Sequence, residues 1–330
     1  MGEEHHGGAA SNGVENIIII GSGPAGLSAA IYAAREGFKP LLIEGSAAGG
    51  QLELTTDVEN FPGFPSGVKG PELIAAMRMQ AERFGTRFIQ EDVTSVDFSS
   101  KPFSLVAGEK RYAAEAVIVA TGANAKTLGI ESEKKFIGRG VSTCATCDGP
   151  FYKNKDVIVV GGGDTAMEDS TFLTNFAKSV TIVHRREALK ASKIMQERAM
   201  NNSKIKFIWN TTVEEILGGE KVTGVKLKNL VNGEESEMKT EGVFMAIGYT
   251  PNTGIFSGKL KIDEKGYLIT RDEVRTDIEG VFVAGDVADS FYRQAVIASA
   301  SGVKCALLAR EYLSMLFYER EKAGRQASHI

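Results

Sequence analysis

A glycine-rich turn between an isoleucine- or valine-rich run and a helix-forming run occurs twice in this 330-residue chain, with the same internal spacing both times. That repeat predicts an α/β fold with two Rossmann-like dinucleotide-binding domains. Further short apolar runs that stop at glycine support it. At about 150 residues per domain, the length also leaves room for roughly two domains.

The elements follow in order. Residues 15–20 read as a short buried strand that runs into Gly21-Ser22-Gly23-Pro24-Ala25-Gly26. Residues 27–36 are Ala-rich and helical, Gly37 ends them, and residues 40–44 form a second strand. The second unit begins with a strand over 156–160 and the turn Gly161-Gly162-Gly163-Asp164-Thr165-Ala166. A helix over 167–176 and a strand over 180–184 complete it. From the first glycine to the end of the second strand is 23 residues in both units (21→44 and 161→184). Residues 116–122, 242–248 and 280–286 read as strands that end at or near glycine, and 295–315 as the C-terminal helix. Residues 218–220 and 234–237 read as turns or solvated charges.

Composition narrows the function classes. Lys+Arg is 38 against 42 Asp+Glu, a net charge of −4, which gives no reason to expect a nucleic-acid or anionic-membrane partner. No apolar run approaches the length of a membrane span. Residues 1–13 lack the features of a secretory signal and read as a disordered tail. No metal site is expected: the three cysteines and His184 are too scattered, and His5, His6 and His329 sit in the tails. The expectation is a cytoplasmic enzyme in a reducing compartment, where a close cysteine pair is catalytic rather than structural.

The turn glycines have mechanical jobs. Gly21 and Gly161 permit the tight turn, Gly23 and Gly163 let backbone approach a pyrophosphate, and Gly26 and Ala166 allow close helix–strand packing. The helix N-terminus then faces the anion with free N–H groups. Glu44, at the end of the second strand, suits ribose hydroxyls, so the first unit is expected to take an unphosphorylated adenosine, as in FAD or NAD. At the matching offset the second unit carries His184-Arg185-Arg186. Two guanidinium groups can grip a 2′-phosphate there, which favours NADPH. The alternative is a solvated surface pair, and for His184 plain packing at the strand end. An FAD-type unit and an NADP-type unit on one chain suggest hydride transfer from nicotinamide to flavin.

Cys144-Ala145-Thr146-Cys147-Asp148 directly precedes the second unit. CxxC spacing suits a small redox-active disulfide that a flavin on the same chain can reduce. Half a zinc site and two inert buried thiols are the rival readings. Asp148 suits proton transfer to and from the thiols, with an Asx turn beside Gly149-Pro150 as the alternative. Cys305 reads as a small buried hydrophobe.

These motifs in combination resemble the low-molecular-weight thioredoxin reductases, flavoproteins with two dinucleotide-binding domains. The resemblance spans about residues 15–318. It rests on the two glycine turns, Gly49-Gly50-Gln51-Leu52, Glu59-Asn60-Phe61-Pro62-Gly63, Ala120-Thr121-Gly122-Ala123 and Cys144-Ala145-Thr146-Cys147-Asp148-Gly149. His184-Arg185-Arg186, Gly285-Asp286-Val287 and Arg293-Gln294-Ala295 complete it. It implies an NADPH domain (125–249) inserted into a discontinuous FAD domain (14–124 and 250–330). For FAD it implies contacts from Gly21, Ser22, Gly23, Pro24, Ala25, Glu44, Gly50, Gln51, Leu52, Asn60, Val93, Thr121, Gly122, Gly285, Asp286, Arg293, Gln294 and Ala295. Among these, Asp286 would take the ribityl chain, and Gln294 and Ala295 the isoalloxazine. For NADPH it implies Gly163, Asp164, Thr165, His184, Arg185, Arg186, Lys190, Ile247 and Gly248. Lys190 stands where the family often has Arg, and Tyr249 where His is common; no role is assigned to Tyr249.

The implied activity passes electrons from NADPH through FAD and the Cys144–Cys147 disulfide to a separate oxidised thioredoxin. Cys144 would attack the partner disulfide, Cys147 would lie nearer the flavin, and Asp148 would donate the proton. A homodimer is implied as well. Gly161 follows Cys147 by 14 positions (147→161), so dithiol and nicotinamide share one domain and compete for the flavin. A hinge is therefore expected near 123–126 and 248–252. A flavin dithiol oxidase, a ferredoxin-fed reductase of the same fold and the reductase component of a peroxide-reducing system are the alternatives; the first two would not need Arg185-Arg186, and the third normally carries an extra N-terminal redox domain.

Overall fold

The structure, a computed structural model, describes residues 13–327. The expected tail, Gly13 apart, and His329 lie outside the described residues. The chain divides into two units. Among the described residues, the first comprises 13–57, Phe61–Asn124 and 251–327; the second comprises Val58–Asn60 and Ala125–Thr250.

In the first unit β1 (Val14–Ile20) leads through the glycine turn into α1 (Pro24–Arg35) and back to β2 (Leu41–Ile43). Ile17 to Ile20 are at most 4% exposed. A strand apolar on both faces must be covered on both, and each such isoleucine contributes about 1.5–3 kcal/mol by its burial. A short ribbon of β3 (Asp57–Val58) and β4 (Val68–Lys69) precedes α2 (Gly70–Arg83) and β5 (Arg87–Ile89). β6 (Val93–Asp97), β7 (Phe103–Ala107) and β8 (Lys110–Val119) then form an antiparallel meander. Parallel pairing sets β1 between β2 and β8, with Ile18 opposite Leu41 and Val117.

The chain enters the second unit through β9 (Ala123–Ala125), followed by α3 (Glu131–Phe136), β10 (Val141–Ser142) and the one-turn helix α4 (Ala145–Asp148). Next come β11 (Asp156–Val160), α5 (Asp164–Leu173), β12 (Ser179–Val183), α6 (Lys193–Met200) and β13 (Ile205–Ile208). An antiparallel sheet of β14 (Thr211–Gly218), β15 (Val222–Asn229) and β16 (Glu235–Lys239) precedes β17 (Gly242–Met245). The parallel sheet has the order β10-β17-β11-β12-β13. Its alternate residues serve two cores: Val159, Ile182 and Phe244 pack with α5 and α6, while Ile158, Val183 and Val243 pack with the antiparallel sheet.

β18 (Tyr249–Pro251) pairs with β9, so the crossings at 124–125 and 250–251 run in one two-stranded ribbon. β19 (Val281–Val283) lies parallel to the end of β8, and α7 (Ala295–Ala327) closes the chain. α7 packs on α1 at close range, because a Cβ on Gly302 would lie 2.0 Å from the Ala25 carbonyl oxygen.

Several boundaries differ from the sequence reading. α5 begins three residues early, at Asp164, since the turn residues themselves form its first coil. It stops at Leu173, where the Thr174 hydroxyl donates to the Thr171 carbonyl and the chain tightens. The strands before Gly122 and Gly248 end at Val119 and Met245. α7 continues to Ala327 instead of stopping near 315. Its extension is rich in good helix formers (Leu, Glu, Arg, Lys, Ala, Gln), and Arg320 anchors it with two bonds (2.7 and 2.9 Å) to buried Glu115.

Candidate active site

The two glycine turns have the same geometry. Gly21 has φ 106°, and a Cβ there would lie 2.3 Å from the Ala120 carbonyl oxygen; a Cβ on Gly161 would lie 2.3 Å from that of Ala246. Only glycine permits so close an approach between turn and neighbouring strand. Beyond it, Gly23 and Gly163 have open space at the Cβ position, and no described side chain caps the helix that each introduces. Each turn therefore presents uncovered backbone N–H groups at a helix start, with room for a phosphate.

In the first unit Ser22 ties the turn to the next loop by accepting from the Gly49 N–H at 2.9 Å. The 3-10 turn Gly50–Leu54 carries Gly50, Gln51 and Leu52. Glu44 follows β2 with a side chain only 7% exposed, paired with Arg78. Arg78 also pairs with Glu82 and lies over the Phe88 ring at 4.0 Å. Ser22, Glu44, Gly49 and Arg78 line a cavity of about 250 Å³.

Gln51 donates from its side-chain amide to Asn124 (3.2 Å), and Asn124 donates to the Asn252 side chain (3.2 Å). Asn252 donates to the Thr121 carbonyl and accepts from the Thr121 hydroxyl at its own carbonyl, both at 2.9 Å. The Asn252 N–H donates to the Gly122 carbonyl at 3.0 Å. Gln51, Thr121 and Gly122 are thus brought together by two asparagines that the sequence reading did not single out. Asn60 groups with the second unit. Val93 opens β6 and packs against the first core.

Gly285 accepts no side chain freely, since a Cβ would lie 3.0 Å from that of Ala25; its N–H donates to the Ser301 hydroxyl. Burial pushes the Asp286 carboxyl up to about 6, with Asp289 adding to the rise and Arg293 opposing it. The Asp289 carboxylate organises the next loop by accepting from the Phe291, Tyr292 and Arg293 N–H groups. Arg293 is left-handed there (φ 47°), Gln294 donates to the Tyr292 carbonyl, and Ala295 starts α7.

In the second unit Cys144 and Cys147 form a disulfide with a Cα–Cα distance of 5.3 Å. Cys144 caps α4: its sulfur accepts from the Cys147 N–H at 3.2 Å and lies 3.4 Å from the Thr146 hydroxyl. Its own N–H donates to buried Ser142, and the Asp148 N–H donates to its carbonyl. Burial and the nearby Asp148 push the Tyr152 hydroxyl up to about 12, which keeps it protonated. Tyr249 donates to the Thr143 carbonyl at 2.6 Å, one residue before Cys144. Cys305 is buried and donates to the Val283 carbonyl.

Arg185, Arg186 and Lys190 are exposed on the loop after β12. This loop is pinned to the glycine turn, since Lys190 N–H donates to the Gly162 carbonyl at 2.7 Å. Asp164 accepts from both the N–H and hydroxyl of Ser192 at 2.8 Å, so its carboxylate serves the loop. His184 is 8% exposed and packs at the strand end, where a Cβ on Gly162 would strike its ring. Burial chiefly holds its pKa below the ordinary value, with the charges of Arg186 and Arg185 adding to the fall and the Ala188 carbonyl opposing it. Thr165 lies in the first turn of α5, and Gly248 accepts from the Lys126 N–H. Ile247 packs against the core beneath the antiparallel sheet.

Comparison with known proteins agrees with this geometry. The profile of the pyridine nucleotide-disulphide oxidoreductases matches residues 15–302. A thioredoxin reductase of Rickettsia conorii is 53% identical over 303 residues, 90% of this chain and 98% of that one. One from Streptomyces coelicolor is 52% identical over 92% and 95% of the two chains. Among solved structures, thioredoxin reductase from Streptococcus pyogenes has a TM-score of 0.89 at 41% identity, over 92% and 100% of the chains. That from Giardia duodenalis has 0.87 at 43% identity, over 91% and 98%. The chain belongs to the thioredoxin reductase family of pyridine nucleotide-disulphide oxidoreductases.

Proposed function

We propose that this chain is an NADPH-dependent thioredoxin-disulfide reductase that binds FAD in the first unit and NADPH in the second. One observation carries the assignment of the nucleotides: the second strands of two equivalent units lead into opposite charges, Glu44 after β2 and Arg185-Arg186 after β12. An acid repels a 2′-phosphate and accepts ribose hydroxyls; an arginine pair does the reverse.

The residues fit these groups. Open space at Gly23, the cavity beside Glu44 and the desolvated carboxyl of Asp286 suit a pyrophosphate, a ribose and a hydroxylated chain. Gly21, Ser22, Gly23, Pro24 and Ala25 would hold the FAD phosphates. Gly50, Gln51, Leu52, Thr121, Gly122, Arg293, Gln294 and Ala295 would surround the rest, with Asn60, Val93 and Gly285 beside them. Gly163, Asp164 and Thr165 would hold the NADPH phosphates, Arg185, Arg186 and Lys190 its 2′-phosphate, and Ile247 and Gly248 the nicotinamide side. A bound flavin supplies a two-electron carrier that a nicotinamide can reduce and a disulfide can oxidise.

The chain's own residues perform the exchange. With the dithiol reduced, the Cys144 thiolate attacks one sulfur of the thioredoxin disulfide, forming a mixed disulfide and releasing one partner thiolate. Cys147 then attacks Cys144, re-forming the internal disulfide and releasing the second thiol. Two electrons leave the protein, and Asp148 returns the protons to the departing sulfurs. The segments 14–124 and 250–330 make the FAD domain, and 125–249 the inserted NADPH domain. No helix among the described residues is long and apolar enough to cross a membrane; the dithiol chemistry suits the reducing cytoplasm, and a homodimer follows from the family resemblance alone.

The test is NADPH oxidation by the FAD-loaded protein, with and without oxidised thioredoxin, against NADH. Fast turnover that requires thioredoxin and prefers NADPH is expected. A flavin that stays oxidised in NADPH refutes the reading.

A further inference from the structure

Two adjacent arginines recognise one phosphate only if their backbone is fixed, and what fixes it here lies beyond the βαβ unit. The strand β13 ends beside β12, and its continuation Trp209-Asn210-Thr211 is zipped to His184-Arg185-Arg186. The His184 N–H donates to the Ile208 carbonyl (2.9 Å), the Thr211 N–H to the His184 carbonyl (3.0 Å), and the Asn210 N–H to the Arg186 carbonyl (3.2 Å). Asn210 makes the corner in the left-handed region, φ 52°. Its own carbonyl accepts from the Leu230 N–H at 2.6 Å, at the hairpin end of β15. Trp209 stacks on Phe207 (centroids 5.1 Å, planes 6° apart) and meets the buried His184 ring edge-on at 6.3 Å. The arginine backbone is thus held by a corner that is itself held by the antiparallel sheet.

We infer that the Trp209-Asn210 corner is the positioning element for nucleotide selection. By holding the Arg186 carbonyl through a left-handed backbone, it sets where both guanidinium groups stand, and hence the preference for an adenosine bearing a 2′-phosphate. Asn210 touches no nucleotide in this scheme; it acts through Arg185 and Arg186, and the inference rests on their proposed role as phosphate ligands. Asparagine and glycine accept a positive φ, whereas a β-branched residue does not. The corner is therefore sensitive to residue type in a way that separates backbone shape from side-chain chemistry.

The experiment is calorimetric titration of the FAD-loaded protein with adenosine 2′,5′-bisphosphate and with AMP, read as the ratio of the two Kd values. The native ratio is expected to be about 100-fold in favour of the bisphosphate, as two charge-assisted contacts would supply. Asn210→Gly keeps that ratio. Asn210→Val lowers it roughly tenfold while AMP binding stays at the native value, a pattern that general loosening does not produce. Leu230→Pro, which removes the N–H that holds the corner and lies at an exposed hairpin, lowers the ratio in the same direction and decides the matter if Asn210→Val does not melt cooperatively. A native ratio in the variant that decides overturns the inference, as does an Asn210→Gly loss equal to that of Asn210→Val. A native protein that does not discriminate between the two probes refutes instead the assignment of Arg185 and Arg186.

Discussion

Asp286 offers the sharpest test of the site's electrostatics. Its carboxyl is held at about 6 against an ordinary 3.8, chiefly by burial. Because the folded-state value lies above the unfolded one, the group costs nothing at low pH, and the cost grows as pH rises through that window. Linkage puts the full cost at about 3 kcal/mol near pH 7.5 and about 1 kcal/mol near pH 4.5. Asp286→Asn removes the charge and keeps the shape. At about 2.1 cal/mol/K per residue, a chain of this length loses roughly 0.7 kcal/mol of stability per kelvin at its midpoint. The flavin-free variant should therefore melt about 4 °C above the flavin-free native protein near pH 7.5, and only about 1–2 °C above it near pH 4.5. The same substitution should weaken FAD retention, since a charged acceptor for hydroxyl groups is lost. Differential scanning calorimetry at the two pH values reads the first effect and flavin release on dilution the second. An equal gain at both pH values, or none near neutrality, would mean that the carboxyl is not desolvated and that its placement in the site has another origin.

Cys144→Ser should abolish thioredoxin reduction while NADPH still bleaches the flavin; surviving thioredoxin turnover would assign the attack to another group. Arg185→Ala together with Arg186→Ala should raise KM for NADPH roughly 100-fold and leave KM for NADH within about threefold, measured by steady-state kinetics with both nucleotides. Gly302→Val should destabilise the first unit by about 3 kcal/mol or more, since a Cβ there would sit 2.0 Å from the Ala25 carbonyl oxygen; a native denaturation midpoint would show that α1 and α7 do not meet so closely. Arg320→Ala should cost about 1–3 kcal/mol by leaving buried Glu115 unpaired, which a urea titration would detect.

The two glycine turns and the cysteine pair are written locally, in patterns of a few residues. A tight turn between strand and helix needs glycine at fixed steps. Gly21 and Gly161 are therefore recognisable from spacing alone, as are the two cysteines that one turn of helix brings into bonding distance. The tertiary structure decided what these residues rest on. Asn252 reaches Thr121 across 131 positions and Asn124 across 128, and no period or spacing marks such pairs. The same holds for Asp164, whose carboxylate serves Ser192, and for the β14–β16 sheet, which shapes the loop of Arg185 and Arg186 through Asn210 and Leu230. His184 sits at a cofactor-reading position by offset, and its ring packs against the Gly162 backbone and lies 3.1 Å from the Ala188 carbonyl oxygen. Spacing reports where a side chain leaves the backbone; which partner it finds depends on segments distant in sequence, which only the folded chain brings together.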